Sequence, residues 1–143
     1  MQTIRYSEGI SDITFENILG LYTSVCWTKY TNNPDSLKKA LKNSSHIVCA
    51  LHDGILVGLA RSLSDDVSIH FIQDILVLND YHRQGIGKHM IKLLLDHYKH
   101  VRQHALLTDD QPDQHAFYKA CGFQKLPAQP VDSSGLTNGY IKL

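Results

Sequence analysis

The hydrophobic positions in the first third of the chain change from alternation to helical spacing. Residues 3–6 alternate between apolar and polar and end at a Ser-Glu-Gly segment, which predicts a short strand. Apolar residues at 15–25 recur every three to four positions behind Ser or Asp at 11–12, either of which can cap a helix. A second helix is predicted to begin at the Asn-Pro-Asp-Ser segment 33–36. We therefore expect one strand followed by two helices.

The middle of the chain carries strand signals and then returns to helical spacing. Residues 47–51 and 55–63 are apolar runs joined through Asp-Gly at 53–54, a dipeptide favoured in tight hairpins. Residues 67–78 begin with alternating apolar and polar positions and predict a third antiparallel strand. A helix is predicted to follow this strand directly, beginning at the Gly-Ile-Gly segment 85–87 and ending at about residue 99.

The last third of the chain predicts shorter elements. Residues 105–108 indicate a buried strand, and 113–121 a short helix that Gly122 stops. The tail, 123–143, holds one or two further strands. This order of elements predicts the α+β class with a mixed sheet. The whole chain, 1–143, has the length of a single domain.

Composition narrows the class of protein. Hydrophobic residues make up 43% and charged residues 20%, as in globular chains. Lys plus Arg and Asp plus Glu both number 14, so no positive excess favours nucleic acid as a partner. Cys26, Cys49 and Cys121 are odd in number and lack C-x-x-C spacing, which favours a reducing compartment. With no leader or membrane-spanning run, we expect a cytoplasmic protein that does not bind membranes.

The most informative segment is DYHRQGIGK, residues 80–88, between a predicted strand and a predicted helix. Backbone N–H groups at such a junction attract anions. A Walker A loop requires glycine where His82 stands, and a dinucleotide fingerprint requires one where Met90 stands. The remaining phosphate motif is the acyl-CoA pyrophosphate loop Q/R-x-x-G-x-G/A, which matches at Gly85 and Gly87. The structural alternative is a glycine turn that merely begins a helix.

A second motif, FYKACGF at residues 117–123, follows downstream. The segment YHRQGIGKHMIKLLL, 81–95, resembles the coenzyme-binding motif of the GNAT superfamily of N-acetyltransferases, and FYKACGF resembles that family's terminal FY-x-x-x-GF motif. The predicted elements over 3–123 follow the family's topology. The resemblance implies the GNAT fold, a three-layer arrangement with a mostly antiparallel central sheet and helices on both faces. It also implies acetyl-CoA as cosubstrate and no metal.

A narrower resemblance concerns three further segments: LYTSVCWTKY at 21–30, FIQDILV at 71–77 and LLTDD at 106–110. They are similar to a branch of small GNAT proteins that includes plastid acetyltransferases acting on serotonin-type arylalkylamines and on protein lysines. This implies transfer to the primary amine of a small molecule by direct attack in a ternary complex, with a protein lysine side chain as the alternative acceptor. A non-catalytic acyl-CoA-binding module is the alternative from another class. The sequence does not decide whether strands near the tail pair two chains into a homodimer.

The resemblance implies that acetyl-CoA lies where two parallel strands separate. Backbone N–H groups of 83–88 then hold the pyrophosphate, with Arg83 and Lys88 as charged partners, while a Val77 N–H is the candidate oxyanion donor. His82 stands where the family usually has Gln or Arg. The full coenzyme-binding set is Ile75, Leu76, Val77, His82, Arg83, Gln84, Gly85, Ile86, Gly87, Lys88 and Tyr118.

Two residues are the predicted catalytic groups. Tyr118 matches the family tyrosine that protonates the CoA sulfur or orients the thioester; the alternative is a core aromatic residue. Asp74 is a carboxylate inside an apolar strand and is the candidate base, acting directly or through water. It also suits binding of the substrate cation, or structural pairing with a neighbouring strand or loop. Asp109 and Asp110 are further candidates for the base, although acids there commonly cap a turn.

The remaining candidates concern substrate contacts and nucleophiles. Trp27 and Tyr30, in the predicted loop between the first two helices, would border the acceptor and suit an arylalkyl amine, or would simply pack the loop. Cys121 follows Tyr118 closely, but no histidine is placed beside it, so a covalent acyl-enzyme is disfavoured. Three histidines predict a solvated helix end rather than a metal site: His97, His100 and His104.

Overall fold

The computed structural model describes residues 3–109, 112–127, 129–132 and 135–143. Its strands are β1 (Arg5–Glu8), β2 (His46–His52), β3 (Ile55–Ser64), β4 (Ile69–Val77), β5 (Gln103–Asp109), β6 (Gln124–Lys125), β7 (Gln129–Asp132) and β8 (Gly135–Lys142). Its helices are α1 (Phe15–Ser24), α2 (Thr28–Thr31), α3 (Pro34–Lys42), α4 (Ile86–His97) and α5 (Pro112–Ala120).

The strands form one mixed sheet in the order β1-β2-β3-β4-β5-β8-β6, with β7 also paired to β8. Only β4 and β5 run parallel among the paired strands that the structure describes. The β2–β3 hairpin turns at Asp53 and Gly54, whose φ angles of +51° and +80° are those of the tight turn predicted there. The α+β class and the mostly antiparallel sheet are thereby confirmed.

Helices cover both faces of the sheet, as predicted. On one face, α1 and α3 bury Ile18, Leu21 and Leu37 against β2, β3 and β4. On the other, α4 buries Met90 and Leu94, both fully inaccessible, in a second core that also takes residues of β2, β3 and β5. Among the described residues, no helix has the length and apolar character needed to cross a membrane.

Three local predictions were wrong. The cap of α1 is Thr14, whose side chain accepts from the Asn17 N–H, because residues 10–13 are already engaged in a turn. Tyr30 lies in the short helix α2, not in a loop, and Trp27 stands just before it. The tail contributes three strands instead of one or two, because β8 pairs with β5, β6 and β7 together.

Candidate active site

A cleft opens where β4 and β5 separate. Their parallel pairing runs from Ile69 opposite Gln103 to Ile72 opposite Leu106 and then ends. Beyond it, β4 stays with β3 and β5 stays with β8, so the end of β4 has no strand on its β5 side. A cavity of about 640 Å³ occupies this region, bounded by β4, the loop before α4, and α5.

A bulge in β4 decides which side chains face the cleft. Arg61 is opposite Asp74 and Ser62 is opposite Ile72, so Gln73 is an extra residue on β4. An extra residue switches the faces of the side chains that follow it. Ile72 therefore packs in the α4 core, whereas Asp74 lies on the α1 side of the sheet.

Backbone directions follow from the same pairing. The Leu78 N–H donates to Val57 of β3 at 2.9 Å. Hydrogen-bonded and non-bonded pairs alternate along an antiparallel ladder, so the Leu76 backbone also turns to β3. Ile75 and Val77 then direct their N–H and C=O groups toward the cleft. The His82 Nε2–H donates to the Val77 carbonyl at 2.7 Å, which leaves the Val77 N–H as a donor at the cleft edge.

The loop before α4 presents a row of donors. Gly85 caps the helix with φ +78°, a left-handed conformation that favours glycine, and Arg83 also has a positive φ of +63°. No backbone N–H from Arg83 to Lys88 donates to another described residue. Gly87 is needed for a different reason, because a Cβ there would lie 3.2 Å from Cζ of Phe117. Free N–H groups at a helix N-terminus form an anion site.

Most of the predicted coenzyme residues line this cavity: Ile75, Val77, His82, Arg83, Gly85, Ile86, Gly87, Lys88 and Tyr118. The structure places Leu76 and Gln84 elsewhere. The Leu76 side chain is buried among α1 residues, and the Gln84 amide nitrogen donates to the Asp80 carbonyl at 3.4 Å. Sequence reasoning missed four residues that also line the cavity: Tyr81, Asp113, Gln114 and Phe117.

Tyr118 lies on α5 between this cavity and a second one. Burial, with smaller effects from Cys121 and Tyr140, raises the pKa of the Tyr118 phenol well above its ordinary value. The phenol therefore keeps its proton at neutral pH. Gln114 lies one helical turn earlier, with a buried Oε1 that has no hydrogen-bond partner among the described residues. In the sequence, only the position of Gln114 four residues before Tyr118 indicated that it would lie on the same face of the helix.

The second cavity, of about 270 Å³, continues from the first. It is lined by Trp27, Gln73, Ile75, Leu107, Thr108, Gln114 and Tyr118. Ile75, Gln114 and Tyr118 border both spaces. The structure thus brings Trp27 and Tyr118 to one cavity, as expected for an acceptor site beside a coenzyme site.

Asp74 and Tyr30 lie outside the lining of both cavities. The Asp74 carboxylate, 3% exposed, pairs with Arg61 Nε at 2.8 Å. It also accepts from the Tyr22 hydroxyl at 2.9 Å and the Tyr30 hydroxyl at 3.1 Å. Burial acts to lower the pKa of Arg61, but the Asp74 carboxylate and its hydrogen bond raise it further than burial lowers it. Arg61, a charged residue within an apolar strand, was the signal that the sequence analysis did not use.

The other predicted candidates are placed as follows. The side chain of Asp109 and the whole of Asp110 lie outside the described residues. Burial raises the pKa of the Cys121 thiol, so the thiolate that a covalent mechanism requires is disfavoured. His100 contacts Asp66 at 2.6 Å, and His104 contacts His70 at 2.8 Å.

The sequence matches the model of the Acetyltransferase (GNAT) family over residues 13–123. The chain belongs to the GNAT acetyltransferase family. This confirms the predicted resemblance, and acetyl transfer is accordingly the activity of its family. The GNAT fold implies binding of CoA or acetyl-CoA, and the free N–H groups of 83–88 fit a pyrophosphate.

Two curated relatives illustrate the range of the family. An uncharacterized N-acetyltransferase of Pyropia yezoensis is 31% identical to this chain over 126 residues. The match covers 85% of this chain and 71% of the relative. A histone acetyltransferase of Glycine max is 30% identical over 141 residues, covering 89% of this chain but 58% of that protein. The relatives therefore support acetyl transfer without fixing the acceptor.

Solved structures give the same fold. A GNAT family acetyltransferase of Streptococcus pneumoniae superposes with a TM-score of 0.76 at 34% identity, covering 85% of this chain and 88% of that one. Arabidopsis thaliana Naa50, solved with a bisubstrate analogue containing CoA, superposes with a TM-score of 0.77, covering 98% of both chains. At 18% identity, this second likeness concerns the fold alone.

Proposed function

We propose that this GNAT protein transfers the acetyl group of acetyl-CoA to the primary amine of a small molecule, by direct attack within a ternary complex. The observation that carries the proposal is the position of Tyr118. Its side chain borders both cavities, and its phenol is protonated at neutral pH. A group that donates a proton to a departing thiolate needs that position and that protonation state.

The residues of the first cavity suit the coenzyme. Acetyl-CoA supplies the thioester whose carbonyl carbon is attacked. The N–H groups from Arg83 to Lys88 hold the pyrophosphate, with the side chains of those two residues as charged partners. The cleft-facing N–H and C=O groups of Ile75 bind a pantetheine amide, while the Val77 N–H faces the thioester. His82, which stands where the family usually has Gln or Arg, fixes the start of the loop on the Val77 carbonyl.

The acetyl transfer step requires a donor to the oxyanion and an acceptor for the proton of the amine. The Val77 N–H stabilises the oxyanion that develops as the amine attacks. The amine must first lose a proton, which costs about 4 kcal/mol for an alkylammonium near pKa 10.4 at neutral pH. Among the described side chains that line the second cavity there is no carboxylate. The amine is therefore deprotonated through water, with the Gln114 Oε1 accepting one of its N–H groups.

Asp74 takes a positioning role in this proposal. Its carboxylate holds the hydroxyls of Tyr22 and Tyr30. The Trp27 ring packs against both tyrosines, at centroid distances of 5.7 and 6.3 Å. Asp74 thereby fixes the indole that borders the acceptor cavity, without contacting the amine itself.

The lining of the second cavity favours an arylalkyl amine. The Trp27 indole and the Leu107 side chain supply apolar surface, while Gln73, Thr108 and Gln114 supply polar groups. A cavity of about 270 Å³ suits one aromatic ring with a short alkyl chain. The second candidate acceptor is a protein lysine, supported by the relative of Glycine max and by Leu107, which is 61% exposed and available to a polypeptide.

The test is release of CoA thiol across arylalkylamines, polyamines, amino acids and lysine peptides. We expect the highest kcat/KM with an arylalkylamine. Trp27→Ala should raise the KM for that amine about tenfold, as expected for loss of an aromatic contact of about 1.4 kcal/mol, while Trp27→Phe retains most of the affinity. A lysine peptide as the best acceptor would favour the alternative. Saturable CoA binding without thiol release from any acceptor would refute catalysis.

A further inference from the structure

A cluster of ionisable side chains lies at the end of α4 opposite the glycine loop. Glu8 is the last residue of β1, His46 the first of β2, and His97 the last of α4. Each offers one ligand atom, and these atoms all lie within 4.8 Å of one another. The acetyl-transfer chemistry does not use any of the three. No other such group of three occurs among the residues that the structure describes.

The geometry of the cluster is close to that of a metal site. The Glu8 Oε1 and His46 Nε2 atoms are 3.1 Å apart, and the His46 and His97 rings stack at 3.8 Å with an angle of 3°. Two ligands of a tetrahedral zinc ion, each about 2.1 Å from the metal, lie about 3.4 Å apart. The spacing of the first pair is close to this value. The His97 side chain is exposed, and its ligand nitrogen lies within 4.8 Å of the other two ligand atoms.

We propose that Glu8, His46 and His97 form a binding site for one divalent transition-metal ion, Zn²⁺ in particular. Two imidazoles and one carboxylate are the donors that zinc prefers, whereas Mg²⁺ and Ca²⁺ prefer oxygen ligands alone. Three protein ligands leave a fourth position for water. The sequence pattern predicted no metal site, and the histidines considered together with His97 were His100 and His104. The partners of His97 come instead from β1 and β2, which are distant in sequence.

The position of the site gives it a structural consequence. A bound ion would join the last turn of α4 to the edge strand β1 and its neighbour β2. Glu8 and His97 are exposed and the His46 side chain is 15% exposed, so an ion can enter from solvent without opening the fold. Because α4 carries the coenzyme loop at its other end, the ion would stabilise the helix without touching the acetyl-transfer cleft.

The test is isothermal titration of ZnCl₂ into tag-free protein that has been treated with EDTA and dialysed. We expect saturable binding of one ion per chain and no saturable binding of MgCl₂. Excess zinc, at about a hundredfold over its Kd, should raise the midpoint of thermal unfolding by roughly 5–10 °C. Turnover in EDTA should equal turnover in zinc, which separates this site from the proposed function.

Variants decide whether these three side chains bind the ion. His97→Gln and Glu8→Gln should each weaken zinc binding about tenfold or more. His100→Gln is the matched control, because His100 is exposed at the same end of α4 but contacts Asp66, and it should bind zinc as the parent protein does. Both ligand positions are exposed, so the variants should unfold at the parent temperature in EDTA. Parent-like zinc affinity in His97→Gln, or no saturable binding by the parent protein, would overturn the proposal.

Discussion

Asp74→Asn removes one charge from the buried Arg61–Asp74 pair while keeping the size of the side chain. The two side chains are 6% and 4% exposed and 2.8 Å apart. With an effective dielectric constant near 20, that separation corresponds to a Coulomb attraction of about 6 kcal/mol, part of which is offset by desolvation. Removing one partner of a buried pair leaves the other charge uncompensated. We therefore expect the free energy of unfolding to fall by about 3–5 kcal/mol.

Urea unfolding measures this loss directly. Trp27 is the only tryptophan of the chain and packs 5.7 Å from Tyr22, which donates to Asp74, so its fluorescence reports on the network. With a denaturant dependence of about 2 kcal/mol per molar urea, the midpoint should fall by roughly 2 M. The free energy of unfolding of a typical domain is about 5–15 kcal/mol. The variant should therefore be measurably less stable yet still fold in dilute buffer.

A double-variant cycle separates the ion pair from the predicted base. Arg61→Met should destabilise about as much as Asp74→Asn, and the two substitutions combined should cost less than their sum, because neither charge then remains buried. An unchanged urea midpoint for Asp74→Asn would refute the ion-pair argument. If Asp74→Asn abolished turnover while Arg61→Met preserved both turnover and stability, the carboxylate would be acting as the base.

Tyr118→Phe should lower kcat by about tenfold or more with CoA affinity unchanged, since only the donated proton is lost; thiol release and CoA titration measure the two quantities. Gly87→Ala should weaken CoA binding and cost about 1–3 kcal/mol of stability, because the new Cβ would lie 3.2 Å from Phe117. Burial, followed by His104, lowers the pKa of His70 from 6.5 to about 3. The unfolded chain therefore protonates His70 at a higher pH than the folded protein does. The free energy of unfolding, measured in urea, should be about 3 kcal/mol lower at pH 4.5 than above pH 6.5.

Each of these predictions has a matched control. Tyr140→Phe removes a buried hydroxyl outside both cavities and should retain turnover; equal loss in both variants would remove the acid role of Tyr118. Gly20→Ala meets no atom within 4 Å and should not destabilise α1. His115→Gln, at an exposed position, should keep the parent's pH dependence of stability, whereas His70→Phe should flatten it. A pH dependence that survives His70→Phe would contradict the burial argument.

Local patterns predicted most of the fold. The 3.6-residue spacing of α4, the Asp53-Gly54 hairpin and the order of the strands all depend on neighbouring residues, and the structure has each of them. The row of free N–H groups before α4 was predictable for the same reason, since these donors come from one strand end and one helix start. Element ends were less predictable, because the Thr14 cap competes with equally suitable side chains at Ser11 and Asp12.

The parts that could not be predicted depend on contacts between distant residues. Asp74 is held by Arg61 and by two tyrosines of another layer, and no local pattern indicates that a carboxylate in a strand has such partners. Gln114 likewise becomes a candidate contact only when α5 packs beside the end of β4. The predicted loop position of Tyr30 failed because a four-residue helix is too short to show periodicity.

The extra residue at Gln73 has a consequence for how this strand tolerates deletion. Deleting Gln73 would leave Ile72 opposite Ser62 and Asp74 opposite Arg61, because these pairs already flank the bulge. Consecutive residues of a regular strand point to opposite faces, so Ile72 would stay in the α4 core and Asp74 would stay beside Arg61 on the α1 side. The strand can therefore lose this one residue without exchanging the faces of its end or parting the buried ion pair.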